Sequence, residues 1–170
     1  MLYVAQVSGG QERRACQLVK RLVDPSVLQE CFVAQAQVMR RVKGEWRLRT
    51  EIMLPGYLFL RSKSAEKLAA ELVHVPAFTR LLGSEEAFVP LLPQETMFID
   101  AVMSKDDGVM EMSEGVIEGD KVTIVKGPLK SLEGLITKID RHRRCAYITV
   151  PMFDRKITAR VGLEIVQKVS

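Results

Sequence analysis

The stretch Glu51-Ile-Met-Leu-Pro-Gly-Tyr-Leu-Phe-Leu-Arg61 constrains this chain more than any other. It is short, nearly all apolar, rich in aromatic and large aliphatic residues, and bounded by charges. That pattern predicts a strand buried on both faces. Proline cannot donate to a sheet ladder, so Pro55-Gly56 marks an entry bend, and the regular strand Gly56–Arg61 is expected at the centre of a first domain. Alternation places Tyr57 and Phe59 on one face and Leu58 and Leu60 on the other; the residues alone leave open which pair faces the core.

A central buried strand needs a core around it, and 170 residues that are 47% hydrophobic and 27% charged supply enough for one medium domain or two small ones. No run of about 18 apolar residues is present to cross a membrane, and Met1-Leu-Tyr-Val-Ala-Gln-Val lacks the basic start of a signal peptide. Cys16, Cys31 and Cys145 are odd in number and far apart, which argues against a disulfide framework or a zinc site and fits a reducing cytoplasm. The net charge of +4 is unevenly spread. Residues 105–120 hold one lysine against six acidic residues, and residues 121–170 hold eleven Lys/Arg against four. The acidic stretch, with Ser104, Gly108, Ser113 and Gly115, reads as a linker over 104–115.

Upstream of it, Leu2–Val7 reads as a strand, and Ser8-Gly-Gly-Gln11 matches a capping box. Ala15, Leu18, Val19 and Leu22 recur at helical spacing. Cys31–Val38 is expected as one strand, followed by a basic hairpin, Arg40–Arg49, turning at Lys43-Gly44. Ser64 is placed to cap a second helix with Ala65, Leu68, Ala69 and Leu72 inside. Phe78–Leu82 reads as a short strand, and Pro93 opens a third helix running to about Met103. Helices mixed with hairpin-linked strands predict an α+β domain over 1–103.

Downstream, residues 116–170 show no helical pattern. About five short strands with a Gly119-Asp120 turn, a Gly127-Pro128 loop and a charged Arg141–Arg144 tip predict a small barrel. Ile157–Val161 and Leu163–Val169 are expected as its last two strands.

Two motifs combine here. Gly119-Asp-Lys-Val-Thr-Ile-Val-Lys-Gly-Pro128, with Gly134 before the next strand, resembles the KOW motif. Tyr3-Val, Ser8-Gly, Glu12, Met53-Leu-Pro-Gly-Tyr57 and Val75-Pro-Ala-Phe-Thr-Arg-Leu-Leu-Gly83 resemble, in matching order, the NusG N-terminal domain. The chain thus resembles NusG-family transcription elongation and antitermination factors over essentially its whole length.

The resemblance implies an antiparallel sheet flanked by helices, joined by the acidic linker to an SH3-like KOW barrel. It implies a bacterial, cytoplasmic, monomeric protein that is not an enzyme and has no cofactor or metal. It implies docking on the clamp helices of the largest RNA polymerase subunit through Tyr3, Pro55, Gly56, Tyr57 and Phe59. The position occupied by Val75 is polar in relatives that touch the non-template strand; valine cannot read a base edge, while the adjacent His74 can stack on one.

The basic clusters carry the finer expectation. Lys126, Lys130, Arg141, His142, Arg143, Arg144, Arg155 and Lys156 lie on loops and tips that a small barrel can gather against an RNA hairpin. Arg40, Arg41, Lys43 and Arg47, with His74, form a second nucleic-acid candidate. This surplus resembles specialised LoaP-type paralogues, which act on selected operons through a leader RNA element. General members instead use the KOW domain for Rho or a ribosomal protein. A KOW-type ribosomal RNA-binding protein leaves the Pro-Gly-Tyr domain unexplained. With only His74 and His142 available, and neither in a nucleophile or metal pattern, catalysis has no candidate site.

Overall fold

The computed structural model describes residues 1–75, 78–81, 90–102, 108–152 and 155–169, with backbone alone at 78–81, 101, 102 and 169. In chain order these form β1 (Leu2–Val7), α1 (Glu12–Leu22), β2 (Leu28–Phe32), β3 (Gln35–Val42), β4 (Glu45–Ile52), β5 (Tyr57–Ser62), α2 (Ala65–Leu72), β6 (Phe78–Leu81) and α3 (Pro93–Val102). They continue as β7 (Val109–Met110), β8 (Ser113–Glu118), β9 (Lys121–Lys126), β10 (Ile136–Asp140), β11 (Cys145–Met152) and β12 (Arg155–Val169). The chain forms two compact units, the first built chiefly from Met1–Ala34 and Leu54–Phe98, the second from Gln35–Met53, Ile99–Pro151 and Arg155–Ser170. The expected strand end at Leu82, the helix end near Met103, linker residues 104–107 and turn residues 153–154 lie outside the described residues.

The first unit is organised as the Glu51–Arg61 stretch predicts. Its sheet runs β2-β5-β1-β6, so β5 has a hydrogen-bonded neighbour on each side. Leu58, Phe59 and Leu60 are all buried, which is the expected two-faced burial. Phe59 lies in register with Val4 of β1 and Phe32 of β2. The Phe32 and Phe59 rings stack at 5.3 Å, 12° from parallel. Burying two such rings contributes several kcal/mol from area alone, at about 25 cal/mol per Å².

On α1, Ala15, Cys16 and Val19 are buried, whereas Leu22 is 48% exposed; the inner row continues at Val23 instead. The expected Ser8–Gln11 capping box is not formed. Gln11 occupies the cap without a side-chain bond, and its N–H donates to the Ser8 carbonyl at 3.0 Å. The helix start is held instead by Glu12, whose Oε1 accepts from the Gly10 N–H at 3.2 Å and the Gly56 N–H at 2.9 Å. At α2 the expected cap is present: Ser64 Oγ accepts from the Lys67 N–H at 3.3 Å, with Leu68 and Leu72 inside. Glu95 caps the start of α3 from within, accepting from the Leu92 N–H at 2.8 Å.

The second unit holds a three-stranded sheet, β4-β3-β7, and a five-stranded sheet, β10-β11-β12-β8-β9. The run expected as one strand, Cys31–Val38, is two: β2 ends at Phe32 in the first unit and β3 begins at Gln35 in the second. The basic hairpin turns where expected, at Lys43 (φ 52°) and Gly44 (φ 81°), a two-residue loop whose left-handed backbone matches strand twist. The last two expected strands are one continuous β12, because Gly162 does not break the ladder. Within the expected linker, Val109–Met110 and Ser113 onward are strand, and Met110 and Ser113 are fully buried, so this portion is packed rather than a solvated spacer.

Burial pushes the Glu12 carboxyl up, but hydrogen bonds from the backbone N–H groups of Glu12, Gly56 and Gly10, with the charge of Arg13, bring it below its ordinary 4.5. A depressed folded-state pKa stabilises the fold fully above the unfolded value and is lost as pH falls through the folded value. Glu12→Ala is therefore expected to cost about 1–3 kcal/mol at neutral pH. The difference from the native chain should hold down to about pH 5 and shrink below it, as read from denaturant midpoints at each pH.

Candidate nucleic-acid interface

The basic hairpin belongs to the second unit because β3 is held there along its length. Gln35 and Ala36 pair in parallel with Val109 and Met110 of β7. Gln37 Oε1 accepts from the Met112 N–H at 3.2 Å. At Gly162 of β12, any Cβ would overlap the Gln37 carbonyl oxygen, so the two backbones approach as closely as only glycine permits.

That approach sets the Arg141–Arg144 tip beside the β3–β4 hairpin. The Arg144 guanidinium lies 4.7 Å from the Trp46 ring centroid, a cation–π contact, and its Nη1 is 3.6 Å from Glu164 Oε2. Arg144 adopts φ 54°, a left-handed conformation costly for a residue with a Cβ. The tip is tightened by Asp140, whose Oδ1 accepts from the Arg143 N–H at 3.1 Å; that bond, with the Arg143 charge nearby, holds the Asp140 carboxyl below its usual range. Arg141, His142 and Arg143 remain exposed beyond it.

On the hairpin, Arg40 grips Glu51 with two bonds, Nε–Oε2 at 2.7 Å and Nη2–Oε1 at 2.6 Å, in fork geometry. The Arg40 hydrogen bonds lower the Glu51 carboxyl pKa, against its burial, with the Arg160 charge adding to the shift. Arg47 reaches Glu45 at 3.2 Å, on the surface. Arg41, Lys43 and Arg49 are exposed and form no ion pair among the described residues.

Strand register sorts the remaining predicted residues. Lys126 of β9 pairs with Glu114 of β8, which pairs with Glu164 of β12, the partner of Arg144. Lys126 therefore lies on the same row across the sheet as the Arg144 tip. Lys130 follows in the short 3-10 turn Pro128–Ser131. Arg155 and Lys156 do not join this group. The Leu163 N–H donates to the Arg144 carbonyl at 3.1 Å, and Arg155 precedes Leu163 by eight residues of strand, roughly 26 Å at about 3.3 Å per residue. One end of the barrel thus gathers six of the eight predicted RNA-binding residues, not all eight.

In the first unit, Pro55 is exposed and Gly56 and Tyr57 are half-buried, whereas Tyr3 and Phe59 are core residues at 1% and 0% exposure. Burial raises the Tyr3 pKa. Tyr3 and Phe59 lie in the core on opposite faces of the sheet and present no surface, which corrects their expected role as contacts. Gly56 has φ 85°, and its carbonyl accepts from the Val7 N–H at 2.9 Å, so the corner is fixed at both its N–H and its C=O. His74 is exposed just past α2. Trp46 and Glu164 were not predicted as site residues. The sole tryptophan of the chain, set between charged residues on a hairpin, is the signal that points to the first; nothing local points to the second.

Residues 2–100 match a family model described as "Transcription termination factor nusG". Across 98% of this chain and 97% of its own length, a protein from Borreliella burgdorferi called "Transcription termination/antitermination protein NusG" is 24% identical. One from Rickettsia prowazekii with the same description is 22% identical over 98% of this chain and 88% of its own. The solved structure of Thermotoga maritima NusG superposes with a TM-score of 0.54 at 17% identity, covering 95% of this chain and 92% of that one, a likeness of fold.

The packing of hairpin on barrel predicts its own weak point. Gly162→Ala should destabilise the second unit by about 1–3 kcal/mol through overpacking, while Arg144→Gly should relieve the backbone and lose the Trp46 contact. Tryptophan fluorescence reads both, with Trp46 becoming more solvent-exposed in each.

Proposed function

The chain belongs to the NusG family of transcription factors, and from that premise we propose that it is an operon-specific processive antiterminator. It docks on the clamp helices of the largest RNA polymerase subunit through the corner Pro55-Gly56-Tyr57, and it holds nascent RNA, a leader hairpin, on the basic end of its second unit. The first compact unit, chiefly Met1–Ala34 and Leu54–Phe98, serves polymerase docking, and residues 116–170 form the KOW module, to which the second compact unit adds the β3–β4 hairpin and β7. It acts by binding rather than catalysis, as a monomer in the cytoplasm.

The observation that carries the RNA assignment is the meeting of two basic hairpins at Trp46 and Arg144. Arg141, His142 and Arg143 on one tip are exposed, as are Lys43 at the other tip and Arg41, the cross-strand partner of Trp46. Such an array neutralises phosphates, and arginine adds bidentate pairing and stacking. Arg155 and Lys156, at the far end of β12, are outside the proposed site.

A second reading is favoured by the full-length match to proteins described as termination/antitermination NusG. In it the chain is a general factor whose KOW module meets Rho or a ribosomal protein.

The full chain separates the two. Structured leader RNAs are expected to bind more tightly than scrambled hairpins. Replacing Arg141 and Arg143 with alanine should weaken binding and reduce the slope of log K against log salt by about 0.7–0.9 per lost phosphate contact. Equal, weak binding of both RNAs would favour the general factor. Tyr57→Ala should lower polymerase affinity about tenfold or more in a pull-down titration, with RNA affinity unchanged.

A further inference from the structure

Cys16 on α1 and Cys31 on β2 face each other inside the first unit. Cys16 Sγ donates to the Cys31 carbonyl at 3.6 Å, so the helix cysteine lies directly against the strand residue that carries the second thiol. Both are buried, Cys31 at 2% exposure and Cys16, the more accessible, at 8%. Among the described residues β2 is an edge strand of its sheet, paired with β5, where Cys31 lies opposite Leu60. No covalent bond joins α1 to this edge, since all three cysteines are free thiols.

The two sulfurs differ in a way that divides the chemistry. The hydrogen bond from Cys31 brings the Cys16 thiol down to about 7, against its burial, with the Lys20 charge one helical turn on contributing. The same bond, with burial, drives the Cys31 thiol far above the ordinary range. Cys16, at 8% exposure against 2%, is the sulfur an oxidant reaches first, and Cys31 the neighbour placed to resolve it.

We propose that Cys16 and Cys31 form a peroxide-sensitive dithiol site that closes to a disulfide, tying α1 to the β2 edge. The Cys16 thiolate attacks the terminal oxygen of a hydroperoxide. The S–O bond forms, the O–O bond breaks, and the alkoxide takes up a proton to leave as alcohol or, for hydrogen peroxide, as water. Cys31 sulfur then attacks the Cys16 sulfenic acid. The S–S bond forms, and the hydroxyl leaves with the Cys31 proton as water. Two thiols are oxidised by two electrons and the peroxide is reduced by two. The consequence is mechanical: α1 also carries Glu12, which holds Gly56, so the bond fastens the helix that shapes the Pro55–Tyr57 corner.

The test uses the full chain, reduced, exchanged into buffer without reductant and exposed to hydrogen peroxide under native conditions. It is then unfolded, alkylated and weighed. The expected product takes one alkyl group, at Cys145, in place of three, and yields a peptide pair linked through Cys16 and Cys31 that dithiothreitol separates. Cys31→Ser should instead stop at an oxygen adduct on Cys16, and Cys145→Ser should leave the linked pair unchanged. Three alkylatable thiols after treatment, a link involving Cys145, or a Cys16–Cys31 link that appears only in denaturant would each overturn the proposal.

Discussion

β2 and β5 are hydrogen-bonded neighbours in one sheet, yet the chain between them leaves to build a hairpin in the other unit. The rest of the architecture depends on this excursion. β5 must be flanked on both sides, because a buried strand with an unpaired edge leaves backbone donors and acceptors unsatisfied at about 1–3 kcal/mol each. β1 and β2 meet that need from opposite sides. The twenty or so residues between β2 and β5 are then free to pair elsewhere, and β3 does so with β7 and against β12 at Gly162.

The same excursion makes a composite surface out of two local features. Each basic hairpin alone is a solvated charged turn. Set together, they share one contact, the Trp46 ring against the Arg144 guanidinium, with Arg40–Glu51 ordering the β3–β4 hairpin and Arg144–Glu164 holding the other tip against β12. These ion pairs are partly exposed and individually worth little. Their effect is geometric, because they hold arginines in place that would otherwise sample many rotamers, and a preordered cation loses less entropy on meeting a phosphate.

Much of the fold was legible from local chemistry. Pro55-Gly56 before an apolar run marked β5, Ser64 marked the start of α2, Pro93 the start of α3, and Lys43-Gly44 and Gly119-Asp120 the hairpin turns, because each depends on neighbours in sequence alone. The errors share one cause. Ser8 and Gln11 carry the pattern of a capping box, but Glu12 bonds a glycine 44 residues away and leaves the box unused. Cys31–Val38 reads as one strand because both halves are apolar and extended; only their different partners split it. Tyr3 and Phe59 have the aromatic character of contact residues, and their burial follows from strand pairing that no local pattern reports.

The sequence by itself determined the mixed α+β class, the central strand, the basic character of both hairpins and the family resemblance, since composition, periodicity and turn residues act over a few positions. Tertiary structure decided which cations share a surface, which aromatics are covered, that part of the acidic stretch is packed as strand, and that two cysteines fifteen residues apart lie sulfur to carbonyl. Those outcomes rest on long-range backbone pairing and close approach, whose energies belong to pairs of segments and are written in neither segment alone.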